Sequence, residues 1–110
     1  MTETEFLALA QATMQRIATV LEQQADDTDI DVECMFSGNV LEIEFIDRGS
    51  KIIVNSQAPM QQIWVAAISG GFHFGYRNGR WYDTRDDSEL FVSLSRLVSE
   101  QAGVSLELAG

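Results

Sequence analysis

Between Lys51 and Phe74 the chain reads KIIVNSQAPMQQIWVAAISGGFHF, and this stretch constrains the fold more than any other. Two apolar runs, Ile52-Ile53-Val54 and Ile63-Trp64-Val65-Ala66-Ala67, flank the polar break Asn55-Ser56-Gln57-Ala58-Pro59. A third segment, Phe72-His73-Phe74, follows Gly70-Gly71. Short β-branched and aromatic runs bounded by Asn, Pro and Gly read as strands joined by tight connections, here with a turn at Gly70-Gly71. Pro59, the only proline, falls between two runs, where its missing N–H breaks no ladder. The stretch is the middle of an antiparallel sheet.

Upstream, Thr2 and Glu5 have the spacing of a capping box. Leu7, Ala10, Met14, Ile17 and Leu21, with Phe6 beside them, make one apolar stripe on a helix of roughly 20 residues. A strand over Ile30–Phe36 alternates, with Ile30, Val32, Cys34 and Phe36 on one face and Asp29, Asp31 and Glu33 on the other. Ser37-Gly38-Asn39 turns into a strand over Val40–Ile46, with Leu41, Ile43 and Phe45 inward and Glu42 and Glu44 outward. Asp47–Ser50 turns again into Lys51–Asn55. Asn78-Gly79 is a strong two-residue hairpin signal. Asp86 or Ser88 can cap a second helix carrying Leu90, Phe91, Leu94, Leu97 and Val98, ended by Gly103. The alternating tail Val104–Leu108 is expected to lie along the helices. The order helix, about six strands, helix predicts an α+β two-layer sandwich over residues 1–110, one domain. Both terminal helices pack on one face of an antiparallel sheet, and the other face is open to water.

Charge narrows the partners. Seven basic and 17 acidic residues give a formal charge of −10, which disfavours nucleic-acid phosphate and anionic membrane and favours cations or a basic protein surface. A single cysteine, Cys34, suits a reducing cytoplasm. Its place on the apolar strand face makes it a buried, inert thiol. The acidic start, through Glu3 and Glu5, is unlike an Arg-rich presequence. One histidine and one cysteine cannot build a nitrogen- and sulfur-rich zinc site, and no phosphate-binding glycine loop occurs.

The positive signal is acidic. Glu22, Asp26, Asp27, Asp29, Asp31 and Glu33 fall at the end of the first helix, its loop and the next strand, and no basic residue lies between Arg16 and Arg48. Asp27-x-Asp29-x-Asp31 begins like an EF-hand loop, but Val32 stands where glycine is needed and Gly38 where glutamate is needed. What remains is a ridge of carboxylates. Exposed carboxylates suit hard cations, bound weakly and with loose geometry. The plainer alternative is a solvated face that aids solubility. Against it, acids at a helix C-terminus oppose the dipole at about 0.3–1 kcal/mol each, and neighbours repel one another. A second group, Asn55, Gln57, Gln62, Trp64 and His73, places amides, an indole and an imidazole near Pro59 on the open sheet face. Trp64 is either an interface anchor there or a core residue.

Asn55-x-Gln57-x-Pro59-x-x-Gln62-Ile63-Trp64, then Gly70-Gly71-x-His73-Phe74 and Trp81, resembles the central signature of the frataxins, and the whole chain is similar to the bacterial members. The resemblance implies a frataxin-like fold and an iron-binding protein (Fe2+ or Fe3+) of iron–sulfur cluster assembly, an iron donor or chaperone and a regulator. It implies that the ridge residues bind iron and meet the basic surface of the cysteine desulfurase. The patch around Trp64 would then meet the assembly machinery, including the scaffold protein. Relatives carry more acids early in helix 1, where this chain has Ala18 and Thr19. The expected protein is a cytoplasmic monomer in the absence of metal and not an enzyme. An iron-oxidising centre would need an inward, caged set of Glu and His ligands, so slow oxidation at exposed carboxylates is the most it could show. The competing expectation is an acidic module that inhibits a basic partner with no metal role.

Overall fold

The computed structural model describes all 110 residues. Helix α1 spans Glu3–Thr28. Its capping box forms as the spacing predicts: Glu5 N–H donates to Thr2 Oγ1 at 3.1 Å and Thr2 N–H donates to Glu5 Oε1 at 2.9 Å. The helix has 26 residues rather than about 20, because the buried stripe continues one step further. Phe6, Ala10, Met14, Ile17, Leu21 and Ala25 are all nearly inaccessible, whereas Leu7 is 41% exposed. Phe6 starts the stripe; Leu7, one residue on, is rotated about 100° off that face.

Asp29 ends α1 in the left-handed region, at φ 58. Ile30 N–H then returns to the Ala25 carbonyl at 2.9 Å. Such a Schellman-type closure commits Ile30 to the helix end. Strand β1 therefore runs Val32–Ser37, two residues later than the alternation suggests.

The other strands are β2 Val40–Phe45, β3 Ser50–Gln57, β4 Gln62–Ala67, β5 Gly70–Arg77 and β6 Arg80–Asp83. They form one sheet in sequence order, and every neighbouring pair is antiparallel. Ile46 leaves β2 for a short 3-10 turn, Ile46–Arg48. β3 extends through Asn55 and Gln57, so the polar break shrinks to the 3-10 turn Ala58–Met60. Gly70-Gly71 is not the turn: Ala67 pairs with Gly70, leaving Ile68-Ser69 at the bend, and Gly70 opens β5 at φ 146. The Asn78-Gly79 hairpin is as expected, with φ 52 and 82, the two positive values a type I′ turn requires.

Helix α2 spans Leu90–Ala102 and is capped by Glu89 rather than by Asp86 or Ser88. The Glu89 carboxylate accepts from Phe91 N–H at 3.0 Å and Val92 N–H at 3.2 Å. Asp86 instead closes a local turn onto Ser88 N–H, which holds its carboxyl below the ordinary carboxylate range. Gly103, at φ 76, ends the helix as expected.

Leu41, Ile43, Phe45, Ile52, Val54, Ile63, Val65, Phe74 and Trp81 face the two helices and are buried with their stripes in a continuous core of 24 residues. Leu106 and Leu108 of the tail join it, tied down by hydrogen bonds to the Ser99 and Ser95 hydroxyls. Helices cover one face and leave the other open, the α+β two-layer arrangement expected from the element order.

Candidate functional site

Two groups of polar side chains project from this frame. The first lies along the β1 edge. Glu22, Asp26 and Asp27 come from the last two turns of α1, Asp29 is its C-cap, Asp31 lies in the link, and Glu33 is on β1. All six are exposed. None takes part in any of the four ion pairs, which use Glu42, Asp87, Asp83 and Glu100. The fold thus gathers them on one edge with their charge uncompensated, and the last turn of α1 holds no basic residue.

They are not gathered into a chelate. No three or more His, Cys, Asp or Glu side chains converge on a point that could hold an ion. As a donor set the ridge offers only carboxylate oxygens, the ligands of hard cations, and each ion there would keep much of its water.

The register adds a residue that the linear pattern did not place on the ridge. Glu33 lies directly opposite Glu44 of β2. Like charges in directly opposed positions are unfavourable. Lys51 sits opposite Glu44 on the other side, yet its ammonium reaches Glu42 at 3.4 Å. Glu44 therefore extends the acidic edge onto the open face. The hairpin at Gly38-Asn39 was the available signal, since it fixes which β2 residue meets Glu33.

Cys34, beside the ridge, is half-buried rather than fully enclosed. Burial, reinforced by the negative charge of Glu22, pushes its thiol up to about 12. The thiolate is the reactive form, so this sulfur is inert at neutral pH.

The second group occupies the open face. Asn55, Trp64 and His73 lie in one row across β3, β4 and β5, with Gln57 and Gln62 opposite each other in the next pair outward. The Gln57 amide donates to Asn55 Oδ1 at 2.6 Å, and the Trp64 indole N–H donates to Gln62 Oε1 at 2.8 Å. Trp64 and His73 stack with ring centroids 4.1 Å apart and planes 9° from parallel. The five expected residues thus form one ordered patch. The core tryptophan is Trp81, 3% exposed, which donates to Thr13 Oγ1 at 3.0 Å. Trp64 is only half-covered and lies on the opposite side of the sheet.

A family model described as a frataxin-like domain matches residues 1–104. Among curated relatives, a protein of Herminiimonas arsenicoxydans is 61% identical over 108 residues, covering 98% of this chain and 96% of the relative. A protein of Janthinobacterium sp. (strain Marseille) is 62% identical over 108 residues, with the same coverage. Both are named iron-sulfur cluster assembly protein CyaY. Among solved structures, the frataxin of Psychromonas ingrahamii superposes with a TM-score of 0.84 at 31% identity, covering 100% of both chains. A trimeric frataxin of Saccharomyces cerevisiae, described as complexed with ferrous, gives 0.72 at 26% identity, over 86% of this chain and 85% of that one. A match running through both helices and all six strands, joined to relatives this similar over nearly their whole length, means that the chain belongs to the frataxin family, in its bacterial CyaY branch.

Proposed function

We propose that this protein serves iron–sulfur cluster assembly as an iron-carrying, non-catalytic adaptor in the bacterial cytoplasm, with residues 1–110 acting as one domain. The observation that carries the reading is the uncompensated ridge of Glu22, Asp26, Asp27, Asp29, Asp31 and Glu33. Its carboxylates hold ferrous or ferric iron as cargo, weakly and at several overlapping positions, because the ligands are exposed and uncaged. The same charge steers the protein onto the basic surface of a cysteine desulfurase, an encounter that is fast and weakened by salt. The patch of Asn55, Gln57, Gln62, Trp64 and His73 meets the scaffold protein, with Trp64 as its anchor. The assembly role in the relatives' names supports this reading, as does the ferrous complex of the yeast frataxin. In the absence of metal the protein is a monomer.

The test is an anaerobic titration of 15N-labelled protein with ferrous iron. Amide signals from Glu22 to Glu33 broaden first while those around Trp64 stay sharp. If no signal responds at about millimolar iron, the range of weak carboxylate sites, the ridge is a docking face alone. That outcome selects the second reading, an acidic module that inhibits a basic partner without metal, which the lack of any converging ligand set favours. On that reading metal-free protein binds the partner fully and added iron changes nothing.

A further inference from the structure

The two edges of the sheet are finished differently. β6 has only four residues, and its outer side is occupied: Tyr82 bridges to Glu89, and Asp83 N–H donates to the Ser88 carbonyl at 2.8 Å. β1 has six residues and no strand beyond it. Its pairing with β2 fixes which backbone groups are free. Ile46 N–H donates to the Asp31 carbonyl at 3.0 Å, so Asp31 and, by alternation, Glu33, Met35 and Ser37 direct their N–H and C=O groups at β2. Val32, Cys34 and Phe36 direct theirs outward. No side chain or loop bonds to those outward groups. An open edge of this kind is a template for one more strand.

The side chains along the edge determine what can pair there. A second copy is disfavoured by charge, because two chains of formal charge −10 would have to meet along the acidic edge of Asp29, Asp31 and Glu33. The same acids favour a cationic strand. Beyond them, Met35 is 56% exposed on the open-face side and Phe36 is 38% exposed on the helix side. All pairs in this sheet are antiparallel. An antiparallel newcomer, read from its N-terminus, would therefore place an apolar side chain beside Met35, then basic ones beside Glu33 and Asp31, at every second position.

We propose that β1 accepts a cationic extended segment of a partner protein as a seventh, antiparallel strand, of pattern apolar-x-basic-x-basic, paired through the backbone of Val32, Cys34 and Phe36. The proposal rests on the ridge being a protein-docking surface and specifies how that docking is made. Main-chain pairing supplies register, and the alternating charges supply selectivity.

The probe is a short threonine-rich peptide carrying valine, lysine and lysine at alternate positions, with a second version N-methylated at the threonines that would face Val32 and Cys34. Amide exchange of the intact protein is followed by NMR. The unmethylated peptide slows exchange at Val32, Cys34 and Phe36 saturably, and N-methylation weakens it more than about tenfold at unchanged charge, the expected loss of two hydrogen bonds. Equal binding of both peptides, or no protection of these three amides, overturns the proposal. Desulfurase binding is measured alongside. If Asp27→Lys with Asp31→Lys abolishes it while the peptide gives no protection, the docking reading stands and strand addition is wrong. If the peptide protects the edge but that variant binds desulfurase normally, the docking reading itself fails.

Discussion

The Trp64 indole and the His73 imidazole lie face to face on the open side of the sheet, 4.1 Å between centroids and 9° from parallel. They occupy directly opposed positions on β4 and β5, so the pleat alone brings the rings together. The side-chain Oε1 of Gln62 fixes the indole further by accepting its N–H. A large aromatic is thus held rigid at a surface, the state in which it binds with little further loss of rotamer freedom.

His73→Ala is expected to leave the fold intact and to cost about 0.5 kcal/mol, the low end for an aromatic pair, because His73 is exposed. Urea unfolding followed by circular dichroism measures this, and the native emission, to which both Trp64 and the buried Trp81 contribute, should shift to the red as Trp64 loses its stacking partner. Trp64→Arg should weaken scaffold binding more than desulfurase binding. Equal loss at both partners contradicts the two-surface arrangement.

The ridge should cost stability. Asp26 and Asp27 lie in the last turn of α1 with no basic residue to offset the dipole. Asp26→Asn with Asp27→Asn is expected to stabilise the protein by about 0.5–1 kcal/mol at low ionic strength. The gain should shrink as salt is added, because exposed charges are screened. A loss of stability would mean that these carboxylates hold the helix end in place.

Reversing charge tests docking. Asp27→Lys with Asp31→Lys is expected to abolish binding to the cysteine desulfurase while leaving the far-ultraviolet circular dichroism unchanged. Both side chains are exposed and make no ion pair, so reversing their sign breaks no native contact, and a lysine at the C-terminal turn of α1 suits the helix dipole. Unchanged affinity would remove the ridge from the interface.

Two titrations give pH dependences of opposite sign. Cys34 has its thiol raised from 9.0 to about 12, so the native state holds that proton more tightly than the unfolded chain. Its contribution is fully present below pH 9.0 and is lost as pH rises from there towards 12. Alkylation by iodoacetamide at pH about 8 should accordingly be much slower in native than in urea-unfolded protein. Glu5 is held below the ordinary carboxylate range by its hydrogen bonds to Thr2. Its contribution is present above that range and is lost as pH falls through the depressed value. Thr2→Ala should therefore destabilise the protein at neutral pH and have less effect in strong acid.

The apolar periodicity in the sequence specified two helices, six strands and the open face, because helical and strand patterns differ in period and the punctuating Asn, Gly and Pro residues mark the turns. The run of acids from Glu22 to Glu33 was legible as a cluster with no basic residue near it, and alternation placed Asp31 and Glu33 on one strand face, whereas the face taken by Trp64 stayed undecided. Element ends were different. Ile30 closes α1 rather than opening β1, Glu89 rather than Asp86 caps α2, and Ile68-Ser69 rather than Gly70-Gly71 makes the bend. Each was decided by which backbone group found a partner, a competition between neighbours of similar local preference. Which tryptophan enters the core was likewise a matter of tertiary packing, as Trp81 meets Thr13 from α1, 68 residues away in the chain. The pairing of Glu33 with Glu44 and the free outer side of β1 came from strand register. Periodicity within one strand states which way a side chain points; only its neighbour determines what lies opposite, and whether anything does.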